Sequence, residues 1–170
     1  MSETLDKLTK ISKHVALFTK IFMVICVIAL VAVIVMVVAV ALNPDLISNF
    51  DGVSFTSNQL IAMGITSISG FCLGIIVLYY ANSLFTNIHK NNTPFRDENV
   101  FLLRRISLLM VIGAFALPII SAAAAFALNA GYDWVVSFDL FVLFTAFIVY
   151  FLSLIFKHGV ELQKESDSTL

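Results

Sequence analysis

Twenty-two consecutive residues, Ile21 to Leu42, contain no charge, glycine or proline, and fifteen of them are Leu, Ile, Val or Phe. As a helix rising about 1.5 Å per residue, the run reaches roughly 33 Å, enough to cross a hydrocarbon core of about 30 Å. Its valines favour a strand by propensity, but a lone strand in lipid would leave its backbone groups unpaired, so a helix is expected. The run also exceeds the apolar core of about 7–15 residues in a cleaved leader, so Ala39-Val40-Ala41 is read as part of a span rather than a cleavage site. Three further apolar intervals follow, at 60–88, 106–128 and 135–156. Charged residues make up only 12% of the chain, against about 25% in a soluble domain. Together these features predict an all-α integral membrane four-helix bundle.

The basic residues show how such a bundle would be oriented. Lys7, Lys10, Lys13 and Lys20 precede or border the first run. Lys90, Arg96, Arg104 and Arg105 lie in the central interval 89–105, and Lys157 and Lys164 follow the last run. These ten are all the Lys and Arg of the chain, and none falls in the connections 43–59 and 129–134. Four spans put the N-terminus, central interval and tail 157–170 on one side, which the positive-inside rule makes cytoplasmic. Within residues 1–20, Leu5, Leu8, Ile11, Val15 and Phe18 recur at three- and four-residue spacing between lysines. A helix with that pattern can rest in the headgroup layer, the plainer reading being a cytoplasmic anchor for the first span.

Local signals place the helix ends. Asn43-Pro44 should end the first span, Asp51-Gly52 should turn, and Ser57 or Asn58 should cap the second helix. In that helix Gly70 and Gly74 form a small-xxx-small pair, expected to serve close packing within the chain, with a homo-oligomer face as the alternative. In the central interval Asn91-Asn92 should break the helix, Thr93 cap a new one, and Pro94 take its first position. Asp97 and Glu98 then meet the positive end of the helix dipole, while Arg96 stands where a capping-box glutamate would be. Phe95, Asn99, Leu102, Leu103 and Ile106 line one side. Pro118 should kink the third span or free a carbonyl there, with Ser121 near enough to help satisfy it. Residues 129–134 should turn tightly, with Trp134 at the interface. Asp139, about one turn inside the fourth span, forms with Ser121 a candidate intramembrane polar site, a shallow hydrated carboxylate being the plainer reading.

Motifs for catalysis are missing from the sequence. It has no nucleophile elbow, P-loop, GxGxxG or HExxH. His14, His89 and His158 show no i, i+4 pairing, so neither a metal nor another cofactor is expected. Cys26 and Cys72 should be buried as small hydrophobes. The basic residues lack interleaved surface aromatics, so no direct nucleic-acid contact is expected, and a non-enzyme is anticipated.

Asn92, Pro94 and Phe95 before the third span, and Phe156, Gly159, Leu162, Gln163, Glu165, Asp167 and Thr169 in the tail, carry a family pattern. It is N-x-PF, followed by F-x-x-G-x-x-Leu-Gln-x-Glu-x-Asp-x-Thr. The chain resembles a family of small bacterial four-span proteins catalogued as a domain of unknown function (family 2975). The resemblance implies a bacterial inner-membrane protein. Because genes for such proteins often neighbour a helix-turn-helix regulator, it also implies a membrane partner of a transcription factor. Two functions are therefore carried forward. One is a regulatory or sensory membrane protein docking a cytoplasmic partner, with Glu98, Glu161, Glu165 and Asp167 facing a basic surface and Phe95 and Leu162 as apolar anchors, the plainer alternative being that the central interval and tail only cap the bundle against each other. The other is an oligomeric small-solute or ion transporter with a path along Pro118, Ser121, Asn82 and Asp139.

Overall fold

The computed structural model describes residues 3–44, 55–131 and 138–168. They form four helices: α1 Glu3–Leu42, α2 Ser57–Asn91, α3 Asp97–Ala127 and α4 Leu140–Ser168. Each contains a stretch long and apolar enough to cross a membrane, and no strand occurs among the described residues. The chain is an all-α membrane four-helix bundle, as the hydropathy pattern requires. The Asp51-Gly52 turn and Trp134 lie outside the described residues.

Helix α1 favours the plainer of the two readings of the lead-in. It runs without interruption from Glu3 to Leu42, so the lysine-bearing lead-in and the first span are one helix. A lead-in lying flat in the headgroup layer would need an elbow before the span, and a helix can bend sharply only where something breaks its hydrogen-bond ladder. No glycine or proline occurs in these forty residues. The helix ends where Asn43-Pro44 predicts, with the Asn43 N–H donating to the Ala39 carbonyl at 3.0 Å.

The cap of α2 is one residue earlier than expected. Thr56 is the N-cap: its Oγ1 accepts from the Gln59 N–H at 3.3 Å, and Gln59 Oε1 accepts from the Thr56 N–H at 2.8 Å. This reciprocal capping box satisfies two otherwise unpaired donors, and it frees Ser57 and Asn58 for other partners. Ser57 Oγ donates to the Pro44 carbonyl at 3.3 Å, and Asn58 Nδ2 donates to the Leu128 carbonyl at 2.8 Å.

The chain divides into two compact units. The first contains residues 1–24, 76–111 and 140–170, and the second residues 25–75 and 112–139. In the second, the buried core is made of Ala62, Ala124, Ala125 and Ala130, with Leu128 packed on it. Between lipid-bathed helices no hydrophobic force favours contact, so small residues that admit close backbone approach make the interface. Two glycines do the same. A Cβ on Gly64 would collide with Val37, and one on Gly113 would come within 2.9 Å of Leu73 Cδ2. At Gly70 and Gly74, the expected packing pair, a Cβ would meet nothing within 4 Å, so these two do not serve intrachain packing. Their four-residue spacing puts them on one face of α2.

Pro118 sits inside α3 without ending it. That helix closes at Ala127 on Asn129, whose φ of 48° is left-handed. The Asn129 N–H bonds the Phe126 carbonyl at 3.2 Å and the Ala130 N–H bonds the Ala125 carbonyl at 3.0 Å. This is the Schellman pairing, with the apolar contact between Ala125 and Ala130 that usually accompanies it. Cys26 is half-buried and Cys72 exposed, contrary to the expectation of burial. On a helix face turned to lipid, a thiol needs no protein cover.

Candidate functional site

The first unit brings the central interval and the tail together. Its core is Leu84 and Ile88 of α2 with Leu103 of α3, covered by Leu102, Val149 and Phe156. Helices α3 and α4 are joined within it by a buried hydrogen bond from Ser107 Oγ to the Ala146 carbonyl at 2.9 Å. At the polar end, α2 closes on Asn92, whose φ of 53° takes the left-handed conformation common just past a helix C-terminus. Thr9 of α1 is tied to the same corner. Its Oγ1 donates to Asn92 Oδ1 at 3.2 Å, and its carbonyl lies 3.2 Å from His89 Nδ1. A carbonyl only accepts, so this second bond forms when Nδ1 carries the proton.

The start of α3 differs from its sequence reading. Its first residue is Asp97, and the Arg96 carbonyl accepts from the N–H groups of Asn99 at 3.0 Å and Val100 at 3.2 Å. Arg96 is therefore the N-cap residue. Thr93 and Pro94 precede the helix instead of capping and opening it, and Thr93 Oγ1 accepts from the Phe95 N–H at 3.2 Å in a local turn. The Pro94 carbonyl is held by two donors, Nδ2 of the fully buried Asn99 at 2.9 Å and the Arg96 N–H at 3.1 Å, which keep Pro94 outside the helix. Asn99 Oδ1 has no hydrogen-bond partner among the described residues. Asp97 and Glu98 occupy the first turn, as expected.

The turn directs Phe95 at the tail. Its ring meets Phe156 edge-on, with centroids 5.8 Å apart and planes at 69°. It also rests on Gly159, where a Cβ would collide with the ring. Beyond this seat, Lys164 Nζ donates to Asp97 Oδ2 at 2.8 Å. Both side chains are about two-thirds or more exposed, 67% and 73%. Such a pair is worth about 0–1 kcal/mol, so it orients the tail more than it stabilises it. Thr93, Arg96, Glu98, Val160 and Gln163 complete the walls of an open cavity of about 370 Å³ between these two segments.

The tail helix is thus two-faced. Phe156, Gly159, Val160, Gln163 and Lys164 address the turn before α3. Glu161, Leu162 and Glu165 are exposed on the remaining surface, Leu162 at 53%. Glu161 lies within 3.7 Å of Lys157 and 3.9 Å of His158, contacts along its own helix. On the loop side Phe95 keeps 39% exposure and Glu98 is exposed. The side chain of Asp167 and all of Thr169 lie outside the described residues.

The other expected site departs from its sequence reading at Asp139. Helix α4 begins at Leu140, so Asp139 stands just before it rather than one turn inside a span. An exposed carboxylate at a helix start is where the dipole favours it. Ser121 is half-buried within α3 in the second unit with Pro118, whereas Asn82 belongs to the first unit. Among the described residues no group of three or more His, Cys, Asp or Glu is placed to hold a metal ion.

Four apolar helices define a multi-pass membrane protein. Phe95, Phe156 and Gly159, which meet where the turn and tail pack, are members of the pattern noted in the sequence. The chain belongs to the family described as protein of unknown function (DUF2975), which matches residues 53–170. That stretch takes in α2, α3 and α4 and leaves α1 outside. No curated protein and no solved structure is similar to the chain.

Proposed function

We propose that the protein is a non-catalytic regulatory membrane protein that docks a cytoplasmic partner through its central turn and its tail helix. Both termini and the central turn then face the cytoplasm, in a bacterial inner membrane, since all ten Lys and Arg fall in those three segments. The observation that carries the reading is the seat of Phe95 on Gly159 and Phe156. It fixes the tail helix against the turn and leaves Glu161, Leu162 and Glu165 exposed on the helix's other face, with Phe95 and Glu98 exposed on the turn itself. An apolar anchor ringed by acids on a fixed helix suits a basic protein surface, with a helix-turn-helix regulator the partner in view.

The test is co-purification in detergent of the full chain and of a variant with Glu161, Glu165 and Asp167 replaced by Gln, Gln and Asn. Loss of the co-purifying protein from the variant supports docking. Equal recovery of that protein with both forms would remove it.

A further inference from the structure

A second feature of the first unit lies away from the docking face. Between α3 and α4, beside the Ser107–Ala146 hydrogen bond, runs an open cavity of about 410 Å³. Its walls are Leu108 and Val111 on one helix and Leu143 and Phe147 on the other. Arg104 and Tyr150 line the end nearer the polar turn. From Arg104 to Val111 the groove follows two helical turns, about 10 Å along the axis.

The chemistry of the two ends differs. Ser107, the polar group inside the groove, spends its hydroxyl on the Ala146 carbonyl. The walls therefore offer an occupant only apolar contact. Arg104 is exposed, and its side chain makes no ion pair or hydrogen bond with another described residue. Its neighbour Arg105 is engaged differently, with its guanidinium 4.8 Å from the centre of the Phe101 ring. None of the acidic residues near this end, Asp97, Glu98, Glu161 or Glu165, lines the groove. A bare guanidinium at the mouth of an apolar slot, at the depth where spans meet headgroups, calls for an anion with a tail.

We infer that this groove binds one anionic phospholipid, with an acyl chain along Leu108, Val111, Leu143 and Phe147 and its phosphate on Arg104 beside Tyr150. Lipid tails are as apolar as the groove, so moving a chain from bilayer to groove gains little hydrophobic energy. Selection comes from the headgroup, because a guanidinium fork matches phosphate oxygens in pairs. A zwitterionic headgroup carries an ammonium that offsets this attraction, so a lipid with net negative charge is preferred. The site does not depend on the docking reading.

Native mass spectrometry of the full chain in detergent tests it, with phosphatidylglycerol and phosphatidylcholine added in equal amounts. The expected result is one phosphatidylglycerol retained about fivefold over phosphatidylcholine, the scale of one basic residue at an anionic surface. Arg104→Gln abolishes that preference, whereas Arg105→Gln keeps it. Val111→Phe, which fills the groove and leaves every charge in place, loses the retained lipid. Circular dichroism on each variant checks that helicity is unchanged. The proposal is overturned if Arg104→Gln keeps the preference, if Arg105→Gln loses as much, or if Val111→Phe retains lipid like the parent.

Discussion

Replacing Gly159 by Ala puts opposing effects on one atom. In a helix interior Ala is better than Gly by about 1 kcal/mol. At this position, though, the new Cβ would collide with the Phe95 ring, which is held edge-on by Phe156. Forcing an extra carbon into a packed contact costs about 1–3 kcal/mol, and displacing the ring also puts at risk an aromatic pair worth about 0.5–1.5 kcal/mol. Gly159→Ala alone should therefore be neutral to destabilising by about 2 kcal/mol. With Phe95 already replaced by Ala the collision is gone, so the same change should stabilise by about 1 kcal/mol. The sign reverses, and the coupling between the two positions is about 1–3 kcal/mol. Amide hydrogen exchange of residues 157–166 in detergent reads this locally, as about a five- to 150-fold coupling in the opening equilibrium. If Gly159→Ala slows exchange equally in both backgrounds, Phe95 does not seat on Gly159, and the docking face loses its foundation.

Three other outcomes are expected. Gly64→Ala should destabilise by about 1–3 kcal/mol through Val37, with rescue by Val37→Ala, while Gly70→Ala and Gly74→Ala are tolerated; unfolding in mixed SDS–maltoside micelles measures all of these. Asn99→Ala should cost about 1 kcal/mol by removing the amide bond to the Pro94 carbonyl, which then keeps only the Arg96 N–H. Asn99→Asp should be at least as harmful at neutral pH and partly restored in acid, where the protonated carboxyl regains a donor; thermal unfolding across pH follows this. Lys90 and Lys164, replaced singly by Cys, should react with a membrane-impermeant maleimide only after cells are opened, and labelling of either in intact cells refutes the proposed sidedness.

The spans were legible in the sequence because lipid leaves a chain few options. A backbone that cannot bond to water must bond to itself, so apolar length alone located four helices. The end of α1 at Leu42 and the acidic first turn of α3 were also readable, since caps and dipoles act within a few residues. What escaped the sequence depends on where helices point. Thr93-Pro94 has the chemistry of a helix start, yet Asn99, buried by packing, and the Arg96 N–H hold the Pro94 carbonyl and delay α3 to Asp97. Gly70 and Gly74 have the spacing of a packing motif, but Gly64, Gly113 and Gly159 make the close approaches. For Gly159 the signal was present in the pattern shared by Phe95 and the tail. Asp139 looked embedded because apolar residues flank it, though the helix starts one residue later.

Tail residues Phe156 to Lys164 are clamped at both ends, by an aromatic seat at one and an ion pair at the other. A fluorescent protein fused directly behind Ser168 would therefore hang from a short helical stalk instead of a slack tether. Its orientation would follow the segment around Phe95, making polarisation of its emission a reporter of whatever disturbs that turn.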